Sequence, residues 1–178
     1  MGIPVLLSTS TASGSSNVAI TSNLTSTYKE YMFVFTDVGP ATDSQTFQFN
    51  LSTDGGSNYN ASKTSTFFRA QVKQDGSGSG IAYQTSLDLA NGTGYQAISA
   101  DLGNGADEST GGILHLYDPA GTTYVKHFYA RFSCYHSGDY ANDMYAAGYA
   151  NTTSAVNAID FKMASGNFDG VIQMYGIE

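Results

Sequence analysis

Thr46-Phe47-Gln48-Phe49-Asn50-Leu51-Ser52 decides the fold class. Apolar and polar residues alternate strictly, which places Phe47, Phe49 and Leu51 on one face of an extended strand. The same period of two appears upstream in Tyr31-Met32-Phe33-Val34-Phe35-Thr36-Asp37-Val38. There Tyr31, Phe33 and Phe35 share one face, while Met32 and Val34 make the other apolar too, so this strand is expected to be covered on both sides. Gly39-Pro40-Ala41-Thr42-Asp43 separates the two runs as a turn cluster, and Asp54-Gly55-Gly56-Ser57-Asn58 closes the second as a hairpin loop.

The pattern continues along the chain. Lys63–Lys73 is extended around Phe67, Phe68 and Val72, and Gln74–Gly80 is a glycine- and serine-rich loop. Ile81–Leu102 admits two readings, a strand with one helical turn or two short strands broken at Asn91-Gly92. Ile113–Tyr117 is a short strand. Val125–Tyr135 is a long one with Phe128, Ala130, Phe132 and Cys134 on one face. Met144–Ala150, Ala158–Ala164 and Val171–Ile177 complete the set. The total is roughly eight to ten strands, with no sustained 3.6-residue period. The expected fold is all-β, an antiparallel β sandwich of jelly-roll type, because eight or more strands with regular turn clusters fit that architecture best. The missing Cys…Trp…Cys pattern disfavours an immunoglobulin domain. The expected core is Phe33, Phe35, Phe47, Phe49, Leu51, Phe128, Phe132, Ile159, Phe161 and Ile172.

Composition narrows the function classes. The 178 residues hold 7 Lys plus Arg against 15 Asp plus Glu, a net charge of −8, and only 12% are charged. Duplex nucleic-acid binding requires a basic stripe, and this chain has none, so no nucleic-acid partner is expected. Thirteen Tyr and ten Phe argue against disorder. The single cysteine, Cys134, excludes an intramolecular disulfide and reads as a small core residue. No apolar run approaches the roughly 20 residues of a membrane helix, so no membrane partner is expected. Met1–Leu7 lacks the basic start of a signal peptide, and the expectation is folding in a cytoplasm. The five Asn-x-Ser/Thr sequons then read as by-products of composition.

No catalytic, cofactor or metal motif is recognisable. His115, His127 and His136 are not at ligand spacing, and the loop carboxylates, such as Asp139 with Asp143, are too loosely spaced for calcium. There is no nucleophile elbow, phosphate loop or dinucleotide fingerprint. The expectation is therefore no enzyme, no cofactor and no metal. Two stretches remain as candidates for contact. The first is the domain division itself, with residues 1–16 as an N-terminal arm and 17–178 as one domain. Ile3, Val5, Leu6 and Leu7 are apolar residues ahead of a Ser/Thr/Gly tract and are candidates for gripping a neighbouring subunit or shell protein. The alternative is that this segment forms the first edge strand of its own sandwich. The second stretch is Tyr135-His136-Ser137-Gly138-Asp139-Tyr140-Ala141-Asn142-Asp143-Met144-Tyr145, read as a polar loop with aromatic tips. Tyr135, His136, Asp139 and Tyr140 are its candidates for ligand or partner contact.

A resemblance carries the reading further. The ending Ile159–Ile177, with Ser165-Gly166-Asn167-Phe168 as a turn and Tyr175-Gly176-Ile177 as its close, resembles the C-terminus of small structural proteins of tailed bacteriophages, particularly marine ones. Tyr28-Lys29-Glu30-Tyr31-Met32-Phe33-Val34-Phe35 after a Ser/Thr-rich segment, and Asp54–Asn60, are similar to the same group. The resemblance implies a jelly-roll virion component and carries over no active-site residue. On it rests the expected function, a non-enzymatic capsid decoration (cement) protein on the outer shell. The alternative is a tail-fibre or receptor-binding head that recognises a host surface glycan. The expected partners are the major capsid protein or another virion protein, together with further copies of the chain as a homotrimer. The expected location is the virion, after synthesis in the host cytoplasm.

Overall fold

The computed structural model describes residues 2–178; Met1, at the tip of the expected arm, lies outside them. The chain is all-β, and no helix occurs among the described residues. The twelve strands are β1 (Val5–Ser15), β2 (Val18–Ile20), β3 (Glu30–Pro40), β4 (Gln45–Ser52), β5 (Lys63–Lys73), β6 (Ser79–Tyr83), β7 (Gln96–Leu102), β8 (Thr110–Tyr117), β9 (Lys126–His136), β10 (Tyr140–Ala150), β11 (Ala158–Met163) and β12 (Phe168–Ile177). All pairings are antiparallel.

Eight strands form one long ladder, β1-β12-β3-β8-β9-β10-β5-β6. Four form a short one, β7-β4-β11-β2. A single bridge, Leu102 to His136, joins them into one nearly closed, barrel-like sheet. Phenylalanines fill the space between the ladders. Phe161 of β11 lies 5.4 Å from Phe33 and 5.1 Å from Phe35, both on β3, measured between ring centres. Phe35 also meets Phe47 of β4 at 5.6 Å and Phe132 of β9 at 5.1 Å. Tilted and edge-to-face contacts of this kind suit the ring quadrupoles and add to the apolar area removed from water. All ten residues of the expected core are buried.

The strand register decides several local points that the sequence left open. Residues 5–15 run as β1 along β12, from Val5 opposite Gly176 to Ser15 opposite Phe168. The segment is thus an edge strand of its own domain, and residue 16 marks the passage from β1 to β2. Its Ser/Thr tract can do this because Ala12 alone is fully buried while the alternate hydroxyls face water. Ile81–Leu102 contains no helical turn; it holds the end of β6, a run of turns and β7. Tyr135–Tyr145 is mostly strand, since β9 and β10 continue to a three-residue turn at 137–139. Phe68 and Val72 face solvent, 40% and 49% exposed, because they lie on the outer face of β5, opposite the buried Phe67. One glycine is indispensable to the long ladder. Gly170 sits at φ +145° at the register shift between Asp169 and Val171, and a Cβ there would lie 2.9 Å from the Val38 Cα.

Candidate functional site

The β9–β10 hairpin and its neighbours build a cleft of about 730 Å³ on the outer side of the long ladder. Its floor is made of small residues, Gly111 on β8, Ser133 on β9 and Ala141 on β10. One wall is the end of β5 with Lys73 and Gln74; the other is the loop before β8, with Asp107 and Ser109. The hairpin tip closes one end. Asp139 adopts φ +63°, a conformation that Asp tolerates in a tight turn, and its N–H donates to the His136 carbonyl at 2.9 Å. The Gln74 N–H donates to the Asp139 carbonyl at 2.8 Å, which ties the tip to the β5 wall.

Of the four candidates in this stretch, Tyr135, Asp139 and Tyr140 converge on the cleft. The Tyr135 hydroxyl donates to Gln74 Oε1 at 3.1 Å. Partial desolvation, followed by the nearby charges of Asp139, Asp107 and Glu108, raises the pKa of this phenol, so it remains a hydrogen-bond donor at neutral pH. The Lys73 ammonium lies 6.0 Å from the Tyr140 ring centre and 3.5 Å from Asp75. His136 does not line the cleft but stands behind Tyr140, its partner in the β9–β10 register, with the two rings 5.3 Å apart; it accepts the Gly138 N–H on Nδ1 at 2.8 Å and turns Nε2 toward Asp101 Oδ2 at 3.6 Å. Cys134 is buried, and desolvation pushes its thiol up to about 11, so it is a poor nucleophile. The cleft thus offers aromatic faces, hydroxyls, an amide, carboxylates and one amine, a set suited to holding a polyhydroxylated or peptide ligand.

The apolar N-terminal candidates lie at the opposite edge of the ladder. Ile3, Val5 and Leu6 are 86%, 46% and 51% exposed, whereas Leu7 packs against the core.

Two clusters were not legible in the sequence. Across β6, β5, β10 and β9, the residues Tyr83, Phe68, Tyr145 and Arg131 stand in one cross-strand row. Phe68 stacks on Tyr145 at 4.8 Å, Arg131 lies 5.1 Å from the Tyr145 ring, and its guanidinium grips Asp143 with two bonds of 3.0 and 2.9 Å. The second cluster pairs His115 Nδ1 with Glu30 Oε1 beneath the stacked ring of Tyr129. Only the strand register reveals either, since their members are far apart in the chain. No group of three or more His, Cys, Asp or Glu residues able to hold a metal occurs among the described residues. Nor is any helix among them long and apolar enough to cross a membrane. Comparison of the chain with family models, curated proteins and solved structures finds no match.

Proposed function

We propose that this chain is a non-enzymatic structural protein of a tailed-phage virion, with a jelly-roll fold, that binds the outer capsid shell as a decoration protein and associates as a homotrimer. The strand order supports the jelly-roll reading. The run β1-β12-β3-β8 opposes β2-β11-β4-β7; among these eight strands every chain connection crosses between the two layers except that from β4 to β7, as in a wrapped pair of Greek keys. The observation that carries the functional reading is the placement of exposed apolar side chains. They gather at the free edges of the long ladder, where another protein covers them most readily, and not in an enclosed apolar pocket. The major capsid protein is the partner that this reading assigns. Sedimentation of the purified chain with shells stripped of it tests the assignment: co-sedimentation supports shell binding, and a chain left in the supernatant refutes it.

The cleft favours a second reading, a receptor-binding head that recognises a host surface glycan. Tyr135 and Tyr140 would supply stacking faces, and Gln74, Asp139 and Lys73 the hydroxyl partners. Retention of the chain on host surface polysaccharide, lost in Tyr135→Ala, is the outcome that this second reading requires.

A further inference from the structure

Of the nine large hydrophobic residues exposed among the described residues, seven lie at the two ends of the eight-stranded ladder. Ile3, Val5 and Leu6 are at the β1 end; Phe68, Val72, Ile81 and Tyr83 are at the β5–β6 end. Soluble proteins protect free strand edges with charge, proline or bulges. β6 has none of these. It reads Ser79-Gly80-Ile81-Ala82-Tyr83, every residue is exposed, and its register with β5 is unbroken. The Gln84 N–H donates to the Phe67 carbonyl and the Lys73 N–H to the Gly78 carbonyl, which sets the phase of this ladder. Even-numbered residues of the strand therefore bond to β5, and Ser79, Ile81 and Tyr83 direct their N–H and C=O groups away from it.

β1 supplies a matching edge. It carries no charged residue, and between its register shifts at Leu6/Ser8 and Ala12/Ser15 the stretch Ser8–Ala12 runs in continuous register with β12, five residues like β6. Strand direction alternates along the ladder, and eight is an even number, so β6 and β1 run in opposite directions. A second copy set head to tail beside the first, turned about an axis along the strands, brings its β1 antiparallel to β6 with the outer faces continuous. Leu6 and Thr9 of β1 are on the same outer face as Ile81 and Tyr83, as the cross-strand register shows. In a chain of net charge −8, these two uncharged strips are where copies meet with least repulsion. A two-fold pairing of β6 with β6 leaves Ile3, Val5 and Leu6 in water. A head-to-tail pairing covers both ends with one kind of contact and closes as a ring.

We propose that β6 of one copy adds to β1 of the next copy, making a closed ring of this chain. The contact does not depend on where the ring sits. Three proteins test it by light scattering: the wild type, Ile81→Lys/Tyr83→Lys, which blocks β6, and Leu6→Lys/Thr9→Lys, which blocks β1. All four side chains are exposed, so circular dichroism and thermal unfolding should show the fold retained. The wild type is expected at a multiple of the 18.8 kDa chain mass, with three copies the size proposed above. Each variant alone is expected as a monomer, and an equimolar mixture as a one-to-one dimer, because one intact β6 and one intact β1 remain. A monomeric wild type overturns the proposal. So does a β1-blocked variant that dimerises alone, since that marks a two-fold β6 contact. A ring that forms but fails to bind shells refutes the capsid reading and leaves this contact standing.

Discussion

Lys63 has a side chain with no exposed surface and no carboxylate among its hydrogen-bond partners. Its ammonium donates to Asn50 Oδ1 and, at 2.8 Å, to the Ala61 carbonyl. Asn50 is fixed in turn by donating Nδ2 to the Tyr59 and Thr93 carbonyls at 2.6 and 3.0 Å, so the lysine pins the loops over the short ladder. Burial lowers its pKa to about 7, well below the usual lysine value of 10.5. Between these values the unfolded chain binds a proton that the folded one lacks, so stability rises with pH across that window. The slope from this one group is at most about 1.4 kcal/mol per pH unit. Above about pH 10 the trend should reverse, since desolvation holds the Tyr117 phenol up to about 12 while the unfolded phenol ionises first. Urea unfolding at pH 7 and pH 9 is expected to show a higher midpoint at pH 9, and Lys63→Met is expected to flatten that difference. Gly112 gives a second residue-scale outcome. A Cβ there would lie 2.5 Å from the Arg131 carbonyl and 2.6 Å from the Phe132 ring, neither of which is free to retreat. Gly112→Ala should cost about 1–3 kcal/mol in the same assay, the usual range for overpacking.

At the level of strands, what could be read from the chain was the inward face of those with strong alternation. Phe47, Phe49 and Leu51 on β4, and Phe128, Phe132 and Cys134 on β9, are buried as their alternation predicts. Pairing order was not legible, because a period of two states which face is apolar and not which strand lies beside it. The β1 segment shows a different limit. An edge strand with a single buried side chain, Ala12, leaves almost no hydrophobic pattern to detect. The cleft was legible only in part: Tyr135, Asp139 and Tyr140 were visible as a cluster, but Lys73 and Gln74 reach them through the β5–β10 pairing. Two outcomes belong to this scale. Phe161→Ala removes the ring that meets Phe33, Phe35, Phe47 and Phe49, and should cost about 3–5 kcal/mol by thermal or urea unfolding. Deleting residues 2–16 removes β1 from β12 together with Leu7 and Ala12. The remaining ladder is expected to keep a β-type circular dichroism spectrum at a lower unfolding midpoint and to lose self-association. An unchanged midpoint would mean that β1 contributes nothing to its own domain.

As a whole molecule, the chain combines an aromatic core between two ladders of unequal width with a surface of low charge. The width is the feature that bears on assembly: β9, β10, β5 and β6 extend the long ladder beyond the short one, as a flange whose outermost strand, β6, carries no charge. A solitary soluble protein gains nothing from such a flange, whereas a subunit of a lattice gains an edge to join. If the protein coats a capsid shell, as proposed above, its copy number in purified particles must scale with that of the major capsid protein. Quantitative mass spectrometry of such particles is expected to give a stoichiometry of the same order as the major capsid protein, as a shell-wide lattice requires. A few copies per particle would refute shell binding and point to a tail instead.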